Sequence, residues 1–311
     1  MRLRILPALF LCVPASLGAQ TAPPIDLLAT RLAGMTAVSG YERAMADSLL
    51  VLLPGSERDR VGNVVLTLGS GEPKLLVACP IDEPGFVVGG IRPDGYLTIR
   101  RAGPSPGPLA DQQMEGQRIT IFGRKGPVPG VVGVRSTHLA RGRAISDAPF
   151  TFDDAYVDVG ADSASQVSAL GVEVLSPLAR AKTPERYGDS LLAAPVAGRR
   201  AACAALLLAA QEVRPARGSV TVAFVVEQSF TRRGLLALAH ARGPFSDALL
   251  LEAVSGDPPT SRPPSPDAGS LPSYEVLGLR VRYAGTVVET VSLNDAALLE
   301  RGLKVRIGGG E

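Results

Sequence analysis

Residues 74–86 read Lys74-Leu75-Leu76-Val77-Ala78-Cys79-Pro80-Ile81-Asp82-Glu83-Pro84-Gly85-Phe86. From Leu75 to Ala78 the run is unbroken apolar, with no alternation to mark a wet side. A strand covered on both faces needs that pattern, and parallel sheets supply such strands. Upstream, Val61–Leu68 reads as another strand, and the spacing of apolar residues predicts helices over Ile25–Met35 and Glu42–Leu53. The second helix is preceded by Ser39 and Glu42 in Ser-x-x-Glu spacing, which predicts a capping box.

Downstream the character changes. Short alternating segments (Phe86–Ile91, Tyr96–Arg100, Arg118–Phe122, Val131–Val134, Tyr156–Val159) are separated by Gly, Pro and Asp turns, as in a small β-barrel or sandwich, with one helix near Ala164–Leu170. From about Leu191 the α/β pattern returns. Ala201–Val213 and Arg233–Arg242 read as helices, Val220–Val226 and Ala248–Leu251 as buried strands. Gly256–Ser273 reads as a loop rich in Pro, Ser and Gly. Val276–Tyr283 reads as a strand and Leu293–Leu303 as a helix with Ser292 or Asn294 near its start. The fold class expected is α/β, a mostly parallel sheet flanked by helices, formed by residues 20–85 and 190–311, with residues 86–189 inserted as a small β-barrel.

The 311 residues carry a net charge of +2, with 20% charged side chains and no Lys/Arg run, so a nucleic-acid partner is not expected. Arg2 and Arg4, the apolar stretch Ile5–Leu17 and Gly18-Ala19-Gln20 read as a secretory signal over residues 1–19, too short to span a bilayer. The expected location is therefore exported, periplasmic or extracellular, and no other segment reads as transmembrane. Beyond the signal lie Cys79 and Cys203. Both sit in apolar runs and are expected as buried free thiols, although an oxidising compartment permits one bridge.

Several segments, in order, resemble the tetrahedral aminopeptidases, dinuclear metallopeptidases that include glutamyl and leucyl aminopeptidases. Val38–Glu42 resembles the family's opening helix junction, and Asp59–Val64 its Asp-x-Leu-Gly-Asn strand entry. Cys79–Phe86 is similar to Ala-His-Met-Asp-Glu-x-Gly-Phe. Asp154–Ala161 is similar to Leu-Tyr-Ile-Asp-x-Gly-Ala, and Val288–Leu293 to Val-Glu-x-x-Ser/His-Leu. The resemblance implies the family's phosphorylase/hydrolase-like aminopeptidase fold and a cocatalytic metal pair about 3.5–4 Å apart, held by two His and several carboxylates, with a Glu as general base.

Carried onto this chain, the resemblance places non-donors at most of those positions. The first His ligand corresponds to Pro80, and the bridging Asp to Gly198, or to Ala197 if the register slips by one. The family's Glu-Glu pair corresponds to Gln228 and Ser229, so the general base becomes an amide that cannot accept a proton at neutral pH. Glu252 alone keeps a carboxylate, and the last His becomes Gly285. The chain holds two histidines, His138 and His240. His138 falls in the insert, where the family carries a structural His, and His240 ends a helix, so a two-His centre is not available.

Asp82, Glu83, Glu227, Gln228, Glu252, Arg199 and Arg200 remain as a candidate pocket, in which Arg199 replaces part of the lost metal charge; the bland alternative is that these arginines cap a solvated helix face. No nucleophile elbow, Cys-His pattern or phosphate loop is present. The function expected is an exported, non-catalytic homologue without metal or cofactor, binding an unknown peptide or protein or serving as a structural subunit, with homo-oligomerisation open. The alternative is a metal-dependent aminopeptidase using a carboxylate-only site.

Overall fold

A computed structural model describes residues 24–103, 111–133, 150–151, 155–256, 271 and 273–309. The expected signal (1–19), His138 and most of the Pro-rich loop lie outside these residues.

Two helices, α1 (Ile25–Ala33) and α2 (Arg43–Leu52), lead into β1 (Glu57–Arg58), β2 (Val64–Gly69) and β3 (Lys74–Pro80). The chain then enters the insert through β4 (Gly85–Ile91) and β5 (Leu97–Ala102), β6 (Arg118–Gly123), β7 (Gly126–Val132), β8 (Val157–Asp158), α3 (Ala164–Ala169) and β9 (Pro177–Arg180). It returns through β10 (Glu185–Tyr187), β11 (Leu191–Ala193) and α4 (Ala197–Glu212). β12 (Ser219–Val225), α5 (Arg233–Arg242), β13 (Asp247–Val254), β14 (Glu275–Arg282), β15 (Thr290–Ser292) and α6 (Leu293–Gly308) complete it.

The larger sheet runs β1-β2-β12-β3-β13-β14-β15-β11-β10. Its centre, β12-β3-β13-β14, is parallel, and both flanks are antiparallel. The sheet is therefore mixed, with the parallel strands where the apolar runs are longest. Every residue of β12 is buried, as an unalternating Val/Ala/Phe strand requires. α4 packs between α1 and α6 on one face. Its Ala/Leu composition lets neighbours approach on nearly all sides, and 13 of its residues are buried. Leu235 and Leu238 of α5 cover the other face with Phe245 and Tyr274.

The insert is a closed barrel, β4-β5-β8-β7-β6-β9, around Val88, Leu97, Ile99, Ile121 and Leu178. It ends at Arg180, and β10 already pairs within the large sheet, so the crossing back precedes the expected residue 189. Short strands β1, β10, β11 and β15 gave no sequence pattern of their own.

Two local expectations are corrected. Ser39 does not cap α2; Glu42 occupies the N-cap without a side-chain cap bond. Cys79 and Cys203 are not free thiols but a disulfide joining the end of β3 to α4. The spacing in sequence hid this, because the two cysteines are 124 positions apart and the whole barrel lies between them.

Candidate functional site

β3 ends at Pro80, and the chain continues as Ile81-Asp82-Glu83 between the two domains. Asp82 and Glu83 are both buried, a costly placement for carboxylates unless each is paired. Both are paired, but with different partners. Asp82 Oδ2 accepts from Ser39 Oγ at 2.7 Å and from the Ser229 backbone N–H at 2.9 Å. Arg199 Nη1 donates to the Asp82 carbonyl at 2.5 Å and lies 3.3 Å from Oδ1. This explains the failed cap: Ser39 spends its hydroxyl on the buried Asp82 carboxylate.

Glu83 turns the other way. Its Oε2 is 2.5 Å from Lys182 Nζ, and its Oε1 accepts from the Ala37 N–H at 2.7 Å and lies 3.6 Å from Arg200. Burial alone would raise the Glu83 pKa, but the Lys182 and Arg200 charges prevail and hold it below the ordinary value. Burial lowers Lys182 to about 8 despite the opposing pull of Glu83. Arg200 is wholly buried and donates to the Ile81 carbonyl at 2.5 Å. It therefore caps no solvated face, and its ordinary pKa is lowered, chiefly by burial.

Glu42 is the third buried carboxylate near this loop. Its Oε1 accepts from the Gly40 and Glu227 N–H groups, and burial raises its pKa. Glu227 itself accepts two hydrogen bonds from Arg233, at 3.0 and 2.8 Å. Gln228 Oε1 is buried and accepts no hydrogen bond. Glu252 lies half-buried on β13, opposite Gly278 of β14. Of the candidate pocket, the structure joins Asp82 to Arg199 and Glu83 to Arg200; Glu227 is committed elsewhere.

Of the six described non-glycine residues with positive φ, four lie at the two turns that the resemblance assigns to the site: Val196 (54°) before α4, and Glu227 (52°), Thr231 (56°) and Arg232 (59°) between β12 and α5. A β-branched residue in this region is costly, so surrounding contacts must hold Val196 there. The resemblance left four residues unassigned that the structure brings in: Ser39, Glu42, Lys182 and Glu289. Glu289 is buried; its Oε1 accepts from the Gly198 N–H at 3.1 Å and its Oε2 from the Gly285 N–H at 3.0 Å. One carboxylate thus ties together two backbone positions that the resemblance assigns to metal ligands. Lys182 carried no sequence signal, since it lies in a connecting segment.

Do these residues fit a metal pair? A Cβ on Gly198 would lie 2.3 Å from Val281 Cγ1 and 2.8 Å from Ala253 Cβ, so the bridging carboxylate's place is filled by packing. Pro80 and Gly285 carry no donor. Among the described residues no three His, Cys, Asp or Glu side chains converge to hold an ion. The donor set does not fit.

Residues 62–229 match the family of M42 glutamyl aminopeptidases. The chain belongs to that family. SgcX of Escherichia coli is 33% identical over 209 residues, covering 64% of this chain and 55% of that protein. The lysyl aminopeptidase of Pyrococcus furiosus is 27% identical over 212 residues, covering 67% and 60%. The chain thus spans less than two thirds of these curated relatives. The Pyrococcus horikoshii TET1 peptidase, described as assembling into a tetrahedron or an octahedral shell, superposes with a TM-score of 0.80 at 19% identity, over 92% of this chain and 99% of its own. That likeness establishes the fold. No helix among the described residues is long and apolar enough to cross a membrane.

Proposed function

We propose that this M42-family chain is an exported, non-catalytic member that retains a peptide or protein ligand without cutting it. The observation that carries this reading is the Gly198 position, where Val281 and Ala253 occupy the space a bridging carboxylate would need. The other family positions add to it: Pro80 and Gly285 have no donor, and an amide at Gln228 cannot act as general base.

The links between elements that metal ions make in a dinuclear centre have protein substitutes. β3 is tied to α4 by the Cys79–Cys203 disulfide and by Asp82–Arg199. The β12–α5 turn is tied to Asp82 through Ser229, and α4 to the Gly285 turn through Glu289. A scaffold cross-linked in this way stands without cations.

The alternative, a carboxylate-only peptidase, is disfavoured because Asp82, Glu83 and Glu227 are already bound to cations or N–H groups. A disulfide beside the site favours the oxidising compartment that the leader-like residues 1–19 suggest. Assembly into a homo-oligomer, as described for TET1, is consistent with the shared fold and belongs to the same proposal.

The test is hydrolysis of aminoacyl p-nitroanilides (Leu, Glu and Lys) by purified protein with added Zn²⁺, Co²⁺, Mn²⁺ or Mg²⁺. No turnover above buffer with any ion is expected. Metal-dependent release with saturation kinetics sinks the non-catalytic reading.

A further inference from the structure

Beside the buried Glu83 a cleft of about 80 Å³ opens between the barrel and the α/β domain. Three cations line it, Arg101, Arg180 and Lys182, against one carboxylate, Glu83. Two of the cations are committed: Arg101 to Asp111 at 2.5 Å and Lys182 to Glu83 at 2.5 Å. Arg180 is not. Among the described residues its side chain makes one hydrogen bond, from Nη1 to Gln113 Oε1 at 3.3 Å, and no ion pair. A guanidinium has five N–H donors in a planar fork that matches a carboxylate, so most of the capacity of this cleft-lining side chain is unspent among the described residues. Burial depresses its pKa, and Arg101 depresses it further against the pull of Glu83; the charge of an arriving anion would offset the Arg101 repulsion.

We propose that this cleft binds the carboxylate group of a small peptide, with Arg180 as the principal anchor and Lys182 as its support. Size limits the ligand. Drug-sized sites occupy about 300–1,000 Å³ and one water about 30 Å³, so about 80 Å³ admits an acidic head group on a short stem. Phe86, Met114, Pro195 and Val196 offer that stem an apolar wall. Gly285, where the family keeps its last His, lines the same cleft, and nothing lies within 4 Å of the Cβ it lacks. Loss of the imidazole therefore leaves the mouth open. The inference rests on the non-catalytic reading only in that the bound peptide leaves uncut.

Titration calorimetry on the oxidised full chain at neutral pH tests it with four probes. These are acetyl-glutamate α-amide (a side-chain carboxylate), acetyl-alanine (a terminal carboxylate), acetyl-glutamine α-amide (neutral) and inorganic phosphate. At least one carboxylate probe should saturate, and whichever binds tells side-chain from terminal recognition. The neutral amide should bind about tenfold more weakly or not at all, and Arg180→Gln should lose about tenfold or more while Arg180→Lys keeps part of the affinity.

Equal binding of the neutral amide, saturation by phosphate alone, silence from both carboxylates, or an Arg180→Gln variant that binds like wild type each overturns the assignment. If Arg180→Gln does not fold, Arg180→Lys and the glutamate-to-glutamine ratio on the wild-type chain decide. Cleavage of Glu-p-nitroanilide would sink the non-catalytic reading while leaving the cleft assignment standing; silence from all probes would do the reverse.

Discussion

Arg199→Ala isolates the charge that stands opposite Asp82. Asp82 is fully buried, whereas the Arg199 side chain is 24% exposed. Removing one partner of a buried ion pair typically costs about 3–5 kcal/mol. Two features reduce that figure here: solvent reaches Arg199, and Asp82 keeps donors from Ser39 and Ser229. A loss of about 2 kcal/mol is the expected outcome, seen as a lower urea midpoint with an unchanged m-value and a Tm about 4 °C lower. Arg199→Lys should recover part of it. Asp82→Asn in the Arg199→Ala background should be milder than the sum of the two single changes, because the stranded charge is gone. An Arg199→Ala protein that melts like wild type, or a double variant showing plain additivity, refutes the idea that this arginine replaces metal charge.

Further outcomes follow from the same geometry. Gly198→Asp, which restores the family's donor type, should lose about 1–3 kcal/mol because its Cβ collides with Val281 and Ala253; a variant as stable as wild type that takes up Zn²⁺ contradicts the packing account. Cys203→Ser should cost up to about 5 kcal/mol, since the bridge closes a loop of 124 residues; alkylation of the unfolded, unreduced protein should leave Cys79 and Cys203 unmodified, and labelling of both shows the bridge is absent.

Glu83 has a folded pKa below its ordinary 4.5, so its stabilisation is complete above pH 4.5 and is lost as the pH falls through the lower folded value. The stability gap between wild type and Glu83→Gln, followed by urea titration, should therefore be constant from pH 5 to 7 and shrink in stronger acid. A gap that widens below pH 4.5 reverses the sign and removes Glu83 from the ion-pair account.

Much of the fold was legible because its strongest signals are periodic. The apolar runs at Leu75–Ala78 and Val220–Val226 required double-sided cover, and both are central strands. Arg233–Arg242 is the helix its spacing predicts, and Ser292 does cap α6 through the Asp295 N–H. The barrel showed itself through alternation and turns. Strands of two or three residues such as β10 and β15 hold no period long enough to read, and the apolar pattern that marks β2 does not give its direction, so the antiparallel flanks were not foreseen.

Local grammar misled where function or its remnant intervened. Ser39 and Glu42 have capping-box spacing, yet Asp82 and the β12–α5 turn claim their side chains. Asp82 and Arg199 could be nominated from the resemblance. The pairing of Lys182 with Glu83, the Glu289 bridge and the disulfide depend on contacts across the whole chain, which no local pattern encodes.

The account turns on whether cations reside where the M42 family would hold them. Elemental analysis of protein purified without chelator, paired with melting in the presence and absence of EDTA, measures this directly. The prediction is no stoichiometric zinc, cobalt or manganese, and a melting curve indifferent to EDTA. About two equivalents per chain, lost to EDTA together with stability or peptide hydrolysis, would contradict it.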